Sequence, residues 1–488
     1  MFELSLKIRP FRSIGLIVLV LLFVQGCATN SATGGRILAK SESWEINTGK
    51  QYHQQILQQY QVYNDPQLQN YVNDIGQRLA KSSHRSHLDY TFTVLDSPEV
   101  NAFALPGGYI YVTRGIMAYM TKEAHLAGVL GHEIGHVTGH HGAQRARQQE
   151  LAGIAGAVVA IGTGVGELAQ VSQYLGGALI SGYGRKQELE SDSLGAEYIA
   201  KNNYDVDDMI GVIGILKDQE LFAAEKAKAE GREVQGYHGL FSTHPKNDTR
   251  LKSAVKAAEK YRDLSKPVPD DGRFLRLTNG MAYGEAESQG ITRGNKFYHK
   301  ALNVYMEFPT GWMLQNGAEQ LVAIAPGGDQ AIIMQMDSVA PPVDPSRYLA
   351  SKFSSFSQGK RVSTSEDSAY SGVGTAQNAQ TGTSQSQRVA MVTRGQQAFI
   401  ISGVGKSALP NESTFENVAK SVRKLSASER NLASGRKIKL VRAGQGDTIR
   451  SLAAKSNLDT YAEAQIRLIN DLYPNGEPTP GQLIKIIE

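Results

Sequence analysis

Cysteine is almost absent from this chain: Cys27 is the only one in 488 residues, which excludes disulfides and cysteine-based metal sites. An excess of charge of one sign is lacking too. A formal net charge of +4 with no basic cluster leaves out the electrostatic footprint of a nucleic-acid binder. The apolar run Ile14–Val24 counts eleven residues, short of the roughly 20 needed to span a bilayer. Disorder is excluded by composition, with 41% hydrophobic and 20% charged residues. A chain this long exceeds one ordinary core, so two or three domains are expected.

The N-terminus reads as a secretory signal over residues 1–26, with Lys7, Arg9 and Arg12 before the apolar run and Gln25-Gly26-Cys27 after it. The stretch LLFVQGCAT resembles a bacterial lipoprotein signal. That resemblance implies lipidation of Cys27, and Ala28 in place of aspartate implies an outer-membrane address. Residues 27–50 are then a polar tether.

From about residue 51 the periodicity turns helical: Tyr52, Ile56, Leu57 and Tyr60 share one face, and Leu68, Tyr71, Val72, Ile75 and Leu79 share another. LDYTFTVLD and YIYVTRGIM alternate as strands do, with a Pro-Gly-Gly turn before the second. A helical tract follows to about Tyr261. Within it, residues 151–184 hold one charge, Glu167, among nine glycines, which suits close-packed or lid-like helices better than a membrane contact. Residues 263–295 read as a linker. Short alternating segments then run from Lys296, with a Ser/Thr/Gly/Gln-rich flexible loop at 362–387 and a closing helix behind caps at Asn411 or Ser413. The last unit reads strand, helix, helix, strand.

The chemistry concentrates in VLGHEIGHVTGHH, residues 129–141, which holds four of the eleven histidines. In a helix His132 and His136, four apart, offer two imidazoles to one ion. Glu133 is turned about 100° from His132, placing it beside a metal-activated water as a general base. A catalytic metal of this kind takes three protein ligands and keeps one position open. RKQELESDSLGAEYIA offers the third in Glu188, with Asp192 four residues on to accept a hydrogen bond from a ligand imidazole; Glu190 falls on another, solvated face. A shifted site using His140 would leave Glu133 too far round the helix. His140 and His141 therefore read as dipole-complementing or solvent-facing residues, and His125 as packing.

SPEVNAFALPGGYIYVTRGIM, HLAGVLGHEIGHVTGHH, ELESDSLGAEYIA and FSTHPKNDTR together resemble the HtpX/BepA family of zinc metallopeptidases, with its HExxH…ExxxD pattern. The resemblance implies one Zn2+ per chain on His132, His136 and Glu188, Glu133 as base and Asp192 behind a ligand. It also implies that His244 approaches the metal, either holding the enzyme latent or stabilising the oxyanion, while Arg250 pairs with Asp192 or a substrate carbonyl. On the family's pattern YIYVTRG is an edge strand that binds extended substrate. GQGDTIRSLAAKSN, LIND and PGQLIKI resemble a LysM module, a family that binds the glycan of peptidoglycan or chitin.

The expected fold class is α+β: a mainly helical zinc metallopeptidase domain with a small sheet over 51–262, a small strand-rich α/β domain over 296–428, and a βααβ LysM-like domain over 434–488. The expected function is a lipid-anchored, periplasm-facing zinc endopeptidase of the bacterial outer membrane that acts on unfolded or misassembled envelope proteins, with peptidoglycan a further partner and no nucleic acid. The alternative is a mostly latent metalloprotein acting in envelope assembly or anchoring.

Overall fold

The computed structural model describes residues 27–150, 183–230, 255–256 and 259–488, apart from short gaps at 318–319, 340–342, 365–367, 378–383, 407 and 459. The signal segment, His244, Arg250 and most of the glycine-rich tract lie outside the described residues. No helix among the described residues is long and apolar enough to cross a membrane.

The tether reading stops short of residue 50. Strands β1 (Cys27–Thr29) and β2 (Arg36–Leu38) form an antiparallel hairpin, and helix α1 already begins at Glu42 and runs to Gln59. The apolar count missed that start, because α1 is tied down at its front by charge: Glu45 is 1% exposed and meets the buried Arg85. Helix α2 (Pro66–Lys81) follows the sequence pattern closely. Asp65 caps it by accepting from the Gln67 and Leu68 amides, Pro66 stands where no amide is needed, and Leu68, Tyr71, Val72, Ile75 and Leu79 are buried.

Three strands make the sheet of this first domain: β3 (Thr91–Leu95), β4 (Ala102–Leu105) and β5 (Tyr109–Thr113), in the order β3-β5-β4. This overturns the edge-strand expectation for YIYVTRG. That segment is β5, parallel to β3 on one side and antiparallel to β4 on the other. The strand between them in sequence, AFAL, was not anticipated because it is apolar throughout and shows no alternation; all four of its residues are buried. Among the described strands β4, not β5, stands at an edge.

Helix α3 (Glu123–Thr138) lies over this sheet and carries the histidine motif, buried from Ala124 to Thr138. Helices α4 (Arg185–Lys201) and α5 (Asp207–Ala229) pack against it. What lets α4 come close is a seam of small residues. A Cβ on Gly135 would stand 2.9 Å from Ser191 Cα, and one on Gly131 would stand 3.2 Å from the Gly195 carbonyl. The two helices therefore meet backbone to backbone, and residues one turn either side of that seam face each other across the site.

The segment read as a linker is largely built into the fold. A short helical turn, Arg273–Leu277, buries Phe274 completely, and the carbonyls of Ala282 and Gly284 accept hydrogen bonds from the buried Arg114 at 3.2 and 2.6 Å. Its two-residue strand β6 (Ala282–Tyr283) pairs with the C-terminal unit, and β7 (Ile291–Arg293), β8 (Lys296–His299) and β9 (Val304–Glu307) form a separate antiparallel sheet.

The middle domain is a seven-stranded sheet in which every neighbouring pair is antiparallel, so it is an α+β unit rather than α/β. Its strands run β10 (Met313–Asn316), β11 (Gln320–Ile324), β12 (Gln330–Ser338), β16 (Gln397–Gly405), β15 (Ser384–Arg394), β14 (Ser368–Gln377) and β13 (Ser355–Ser363) across the sheet. The stretch 362–387 expected as a flexible loop is thus mostly strand. Its Ser, Thr and Gly content conceals a register of ten consecutive pairs between β14 and β15. Helix α6 (Pro345–Lys352) packs near β14 and β15, and helix α7 (Glu412–Ser421), capped by Asn411, covers the sheet with Phe415, Val418 and Ala419.

The C-terminal unit has the order β17 (Arg436–Arg442), α8 (Ile449–Ala454), α9 (Ala462–Ile469), β18 (Leu483–Ile487), with the two strands antiparallel. It is not a free tail. Its Ile438, Ile449, Ile466 and Ile484 join the same apolar core as Leu126, Leu130 and Ile134 of α3. Lys485, fully buried, donates to the carbonyls of Ala118 at 2.7 Å and Met120 at 2.5 Å.

Candidate metal centre

His132, His136 and Glu188 converge, all three buried, with their ligand atoms within 4.8 Å of one another. The helical spacing places the two imidazoles on one face of α3, and the glycine seam brings Glu188 of α4 over them. The Nε2 atoms of His132 and His136 are 3.0 Å apart; Glu188 places Oε2 3.6 Å from the first and Oε1 3.5 Å from the second. Ligands bound at about 2.0–2.1 Å in a tetrahedron lie about 3.3 Å apart. The Nε2–Nε2 separation and the nearer Glu188 oxygen at each imidazole scatter around that value, and two imidazoles with a carboxylate are donors that suit zinc. The residues therefore fit a zinc ion with one position left for water or substrate.

Each imidazole is held from behind. Asp192 Oδ1 lies 2.8 Å from His132 Nδ1, as the i, i+4 spacing with Glu188 anticipates, so Nδ1 carries the proton and Nε2 presents its lone pair to the metal. His136 is held differently. Its Nδ1 lies 2.9 Å from His141 Nδ1, and its ring stacks on Tyr183 with centroids 3.8 Å apart. Arg145 also sits over the ring of that tyrosine, 4.2 Å from its centroid, and burial raises the Tyr183 hydroxyl well above the usual phenol range, which keeps it neutral.

The solvent-facing reading of the last histidines is corrected here. His141 is fully buried between His136, Ser191 and Glu190, and burial lowers its pKa although Glu190 pulls the other way. Glu190, expected in solvent, is partly buried; the hydrogen bond from His141, and another from Asn30, hold its carboxyl below the ordinary range against that burial. His140 follows the helix with φ +56°, and both its ring nitrogens have other partners, Nδ1 2.9 Å from Glu45 and Nε2 3.0 Å from the Ser31 hydroxyl. It is not part of the His132, His136 and Glu188 group, the ligand set found among the described residues. His125 is buried packing as expected, near Asp208.

Glu133 is 1% exposed on the motif helix. Tyr183 and His141 were missed as site residues. The only signal in the sequence was proximity, since Tyr183 precedes Glu188 by five positions and His141 follows His136 by five.

Comparison with known proteins agrees with this geometry. The sequence profile of peptidase family M48 matches residues 66–258. The chain is 28% identical over 229 residues to the putative beta-barrel assembly-enhancing protease of Vibrio cholerae, covering 45% of each chain. It is 26% identical over 256 residues to the beta-barrel assembly-enhancing protease of Escherichia coli K12, covering 50% of each. Bovine mitochondrial metalloendopeptidase OMA1 is 28% identical over 224 residues, 42% of this chain and 40% of that one. The chain thus matches half or less of the length of these relatives. Residues 66–258 are a zinc metallopeptidase domain of family M48.

Proposed function

We propose that the protein is a zinc endopeptidase of the bacterial envelope that hydrolyses peptide bonds in unfolded or misassembled outer-membrane proteins. The observation that carries this reading is the buried triangle of His132, His136 and Glu188 with Glu133 next to the first ligand on the same helix. Zinc, when bound, supplies the Lewis acidity that brings a water's pKa toward about 7. Glu133 takes the proton as that water attacks the carbonyl carbon, then passes it to the leaving amine. Asp192 and His141, each against the Nδ1 of one imidazole, would hold the two rings in the tautomer the ion needs.

Extended substrate would add to the sheet at β4, which borders the motif helix and is paired on one side only among the described strands; its four residues are buried, so its free edge has to be uncovered first. Backbone pairing of that kind selects strands that are exposed, which is what an unfolded or misassembled β-barrel protein presents. The names of the bacterial relatives, beta-barrel assembly-enhancing proteases, support that client class. On the family resemblance alone, His244 would occupy or border the open metal position, and Arg250 would stand near Asp192. Lipidation at Cys27, an outer-membrane address and glycan binding by residues 434–488 complete the proposal.

The test is cleavage of an unfolded outer-membrane protein by wild type and Glu133→Gln at matched zinc content. Loss of cleavage with zinc retained is expected. Equal cleavage by both would remove Glu133 as the base, and with it the mechanism.

A further inference from the structure

The two zinc-binding imidazoles are not held alike. Behind its ring, at Nδ1, His132 meets a carboxylate of the neighbouring helix directly, whereas His136 Nδ1 meets a second imidazole that in turn faces a carboxylate. Following that second route outward ends in the N-terminal hairpin, far from the motif in sequence. We infer that the hairpin at residues 27–38 is part of the metal centre, with Asn30, Glu190 and His141 acting in series as positioning residues for His136; the inference rests on the zinc-peptidase reading above.

Donors and acceptors can be assigned along the whole route. With a metal on Nε2, His136 carries its proton on Nδ1 and donates to His141 Nδ1, 2.9 Å away. His141 must then carry its own proton on Nε2, which faces Glu190 Oε2 at 3.5 Å. The other oxygen of Glu190 accepts from Asn30 Nδ2 at 2.7 Å. Asn30 is itself 3% exposed, and its amide is used at both ends: Oδ1 accepts from the Ala32 and Thr33 amides, which sets the hairpin turn, while Nδ2 holds Glu190. An acceptor-only side chain at position 30 could keep the turn and lose the relay.

A second tie runs beside the first. Ser31 meets His140, and His140 meets Glu45, which is bridged by Arg85; Arg85 in turn donates to the Val137 carbonyl in the last turn of α3 at 2.9 Å. Two adjacent hairpin residues thus reach the two adjacent histidines that follow the motif helix, Ser31 directly and Asn30 through Glu190. Since Asn30 follows Cys27 by three residues, the relay ends where the proposed lipid anchor begins.

The experiment is a zinc titration of the full chain against a chromophoric chelator, with the Co2+ absorption spectrum as a second readout of the ligand field. His141→Ala is expected to lose roughly 10–100-fold in zinc affinity, the range for outer partners of ligand histidines, and Asn30→Asp about 10-fold, at the low end of that range. His141→Gln, which can accept at Oε1 and donate at Nε2, should recover part of the loss. Because the residues act in series, Asn30→Asp combined with His141→Ala should cost no more than His141→Ala alone. Additive losses, or an Asn30→Asp protein with wild-type affinity and an unchanged Co2+ spectrum, would overturn the inference while leaving the metal centre standing. A wild type that takes up no zinc would instead remove the metal-centre reading itself.

Discussion

Asp192 Oδ1 lies 2.8 Å from His132 Nδ1, and both groups are buried, so one carboxylate of α4 decides which ring nitrogen of a ligand histidine carries its proton. Removing it leaves the imidazole able to turn and to adopt the wrong tautomer. Asp192→Ala is expected to lower zinc affinity roughly 10–100-fold, and Asp192→Asn less, because the amide oxygen can still accept. Zinc competition titrations on both variants check this; equal affinity in Asp192→Ala and wild type would show that His132 is oriented by packing alone.

Gly135 makes a different kind of contribution, through distance rather than chemistry. A methyl there would stand 2.9 Å from Ser191 Cα and carbonyl oxygen, which are backbone and cannot give way alone. Gly135→Ala should therefore push α4 outward, cost about 1–3 kcal/mol of stability and weaken zinc binding with every ligand still present. Gly128→Ala is the control. Its new methyl meets nothing nearer than 3.5 Å, so the better helix propensity of alanine should leave stability equal or up by as much as about 1 kcal/mol. Thermal melts and zinc titrations of the two variants should separate cleanly.

How far the sequence could be read follows from the range of the interactions involved. His132, His136, Glu188 and Asp192 were legible because helical periodicity converts spacing directly into a shared face. Helix α2 was legible for the same reason, with Asp65 and Pro66 marking its start. What resisted reading was set by long-range pairing. AFAL shows no alternation because both faces are covered, and β14 and β15 are polar strands held by their partners' backbones. Asn30 and Glu190 are 160 positions apart, and no local pattern announces that they touch. His141 looked like a helix-end residue because the sequence cannot say that the hairpin closes over it.

Arg85 tests the charged support beneath that hairpin. Its guanidinium is fully buried and bonds Glu45 at 2.9 Å, Glu42 at 2.8 Å and the Val137 carbonyl at 2.9 Å. Arg85→Met strands the Glu45 carboxylate, 1% exposed, without its cation. The expected loss is about 3–5 kcal/mol in urea unfolding, the usual consequence of breaking a buried pair from one side, and Glu45→Gln added to it should restore part of that. A loss under about 1 kcal/mol would mean that His140 alone compensates Glu45.

Lys485 predicts how stability varies with pH. Burial between β18 and the peptidase domain lowers its pKa from 10.5 to about 7, with Asp471 pulling the other way. In the unfolded chain a lysine stays protonated to about pH 10.4. Between about pH 7 and 10.5 the unfolded state therefore binds a proton that the native state does not, so stability rises with pH across that window and declines as pH falls toward 7. The slope contributed is at most about 1.4 kcal/mol per pH unit. Below pH 7 this group is protonated in both states and adds no further slope. His125 acts in the next window down: burial, with Lys122 and Lys485 adding to it, lowers its pKa from 6.5 to about 3, so its contribution is lost as pH falls from 6.5 to 3. Lys122 and Asp471 stand around the pair: the hydrogen bond to Asp208 raises the Lys122 ammonium above the usual lysine value, and burial raises the Asp471 carboxyl against the pull of Lys122 and Lys485. Thermal melts at pH 7, 8 and 9 should thus climb for wild type and stay flatter for Lys485→Met, which has no proton to exchange. At pH 9 the variant should be the less stable of the two, because the Ala118 and Met120 carbonyls lose their donor. Parallel curves for the two proteins would mean that the native ammonium keeps its proton throughout, held by those carbonyls.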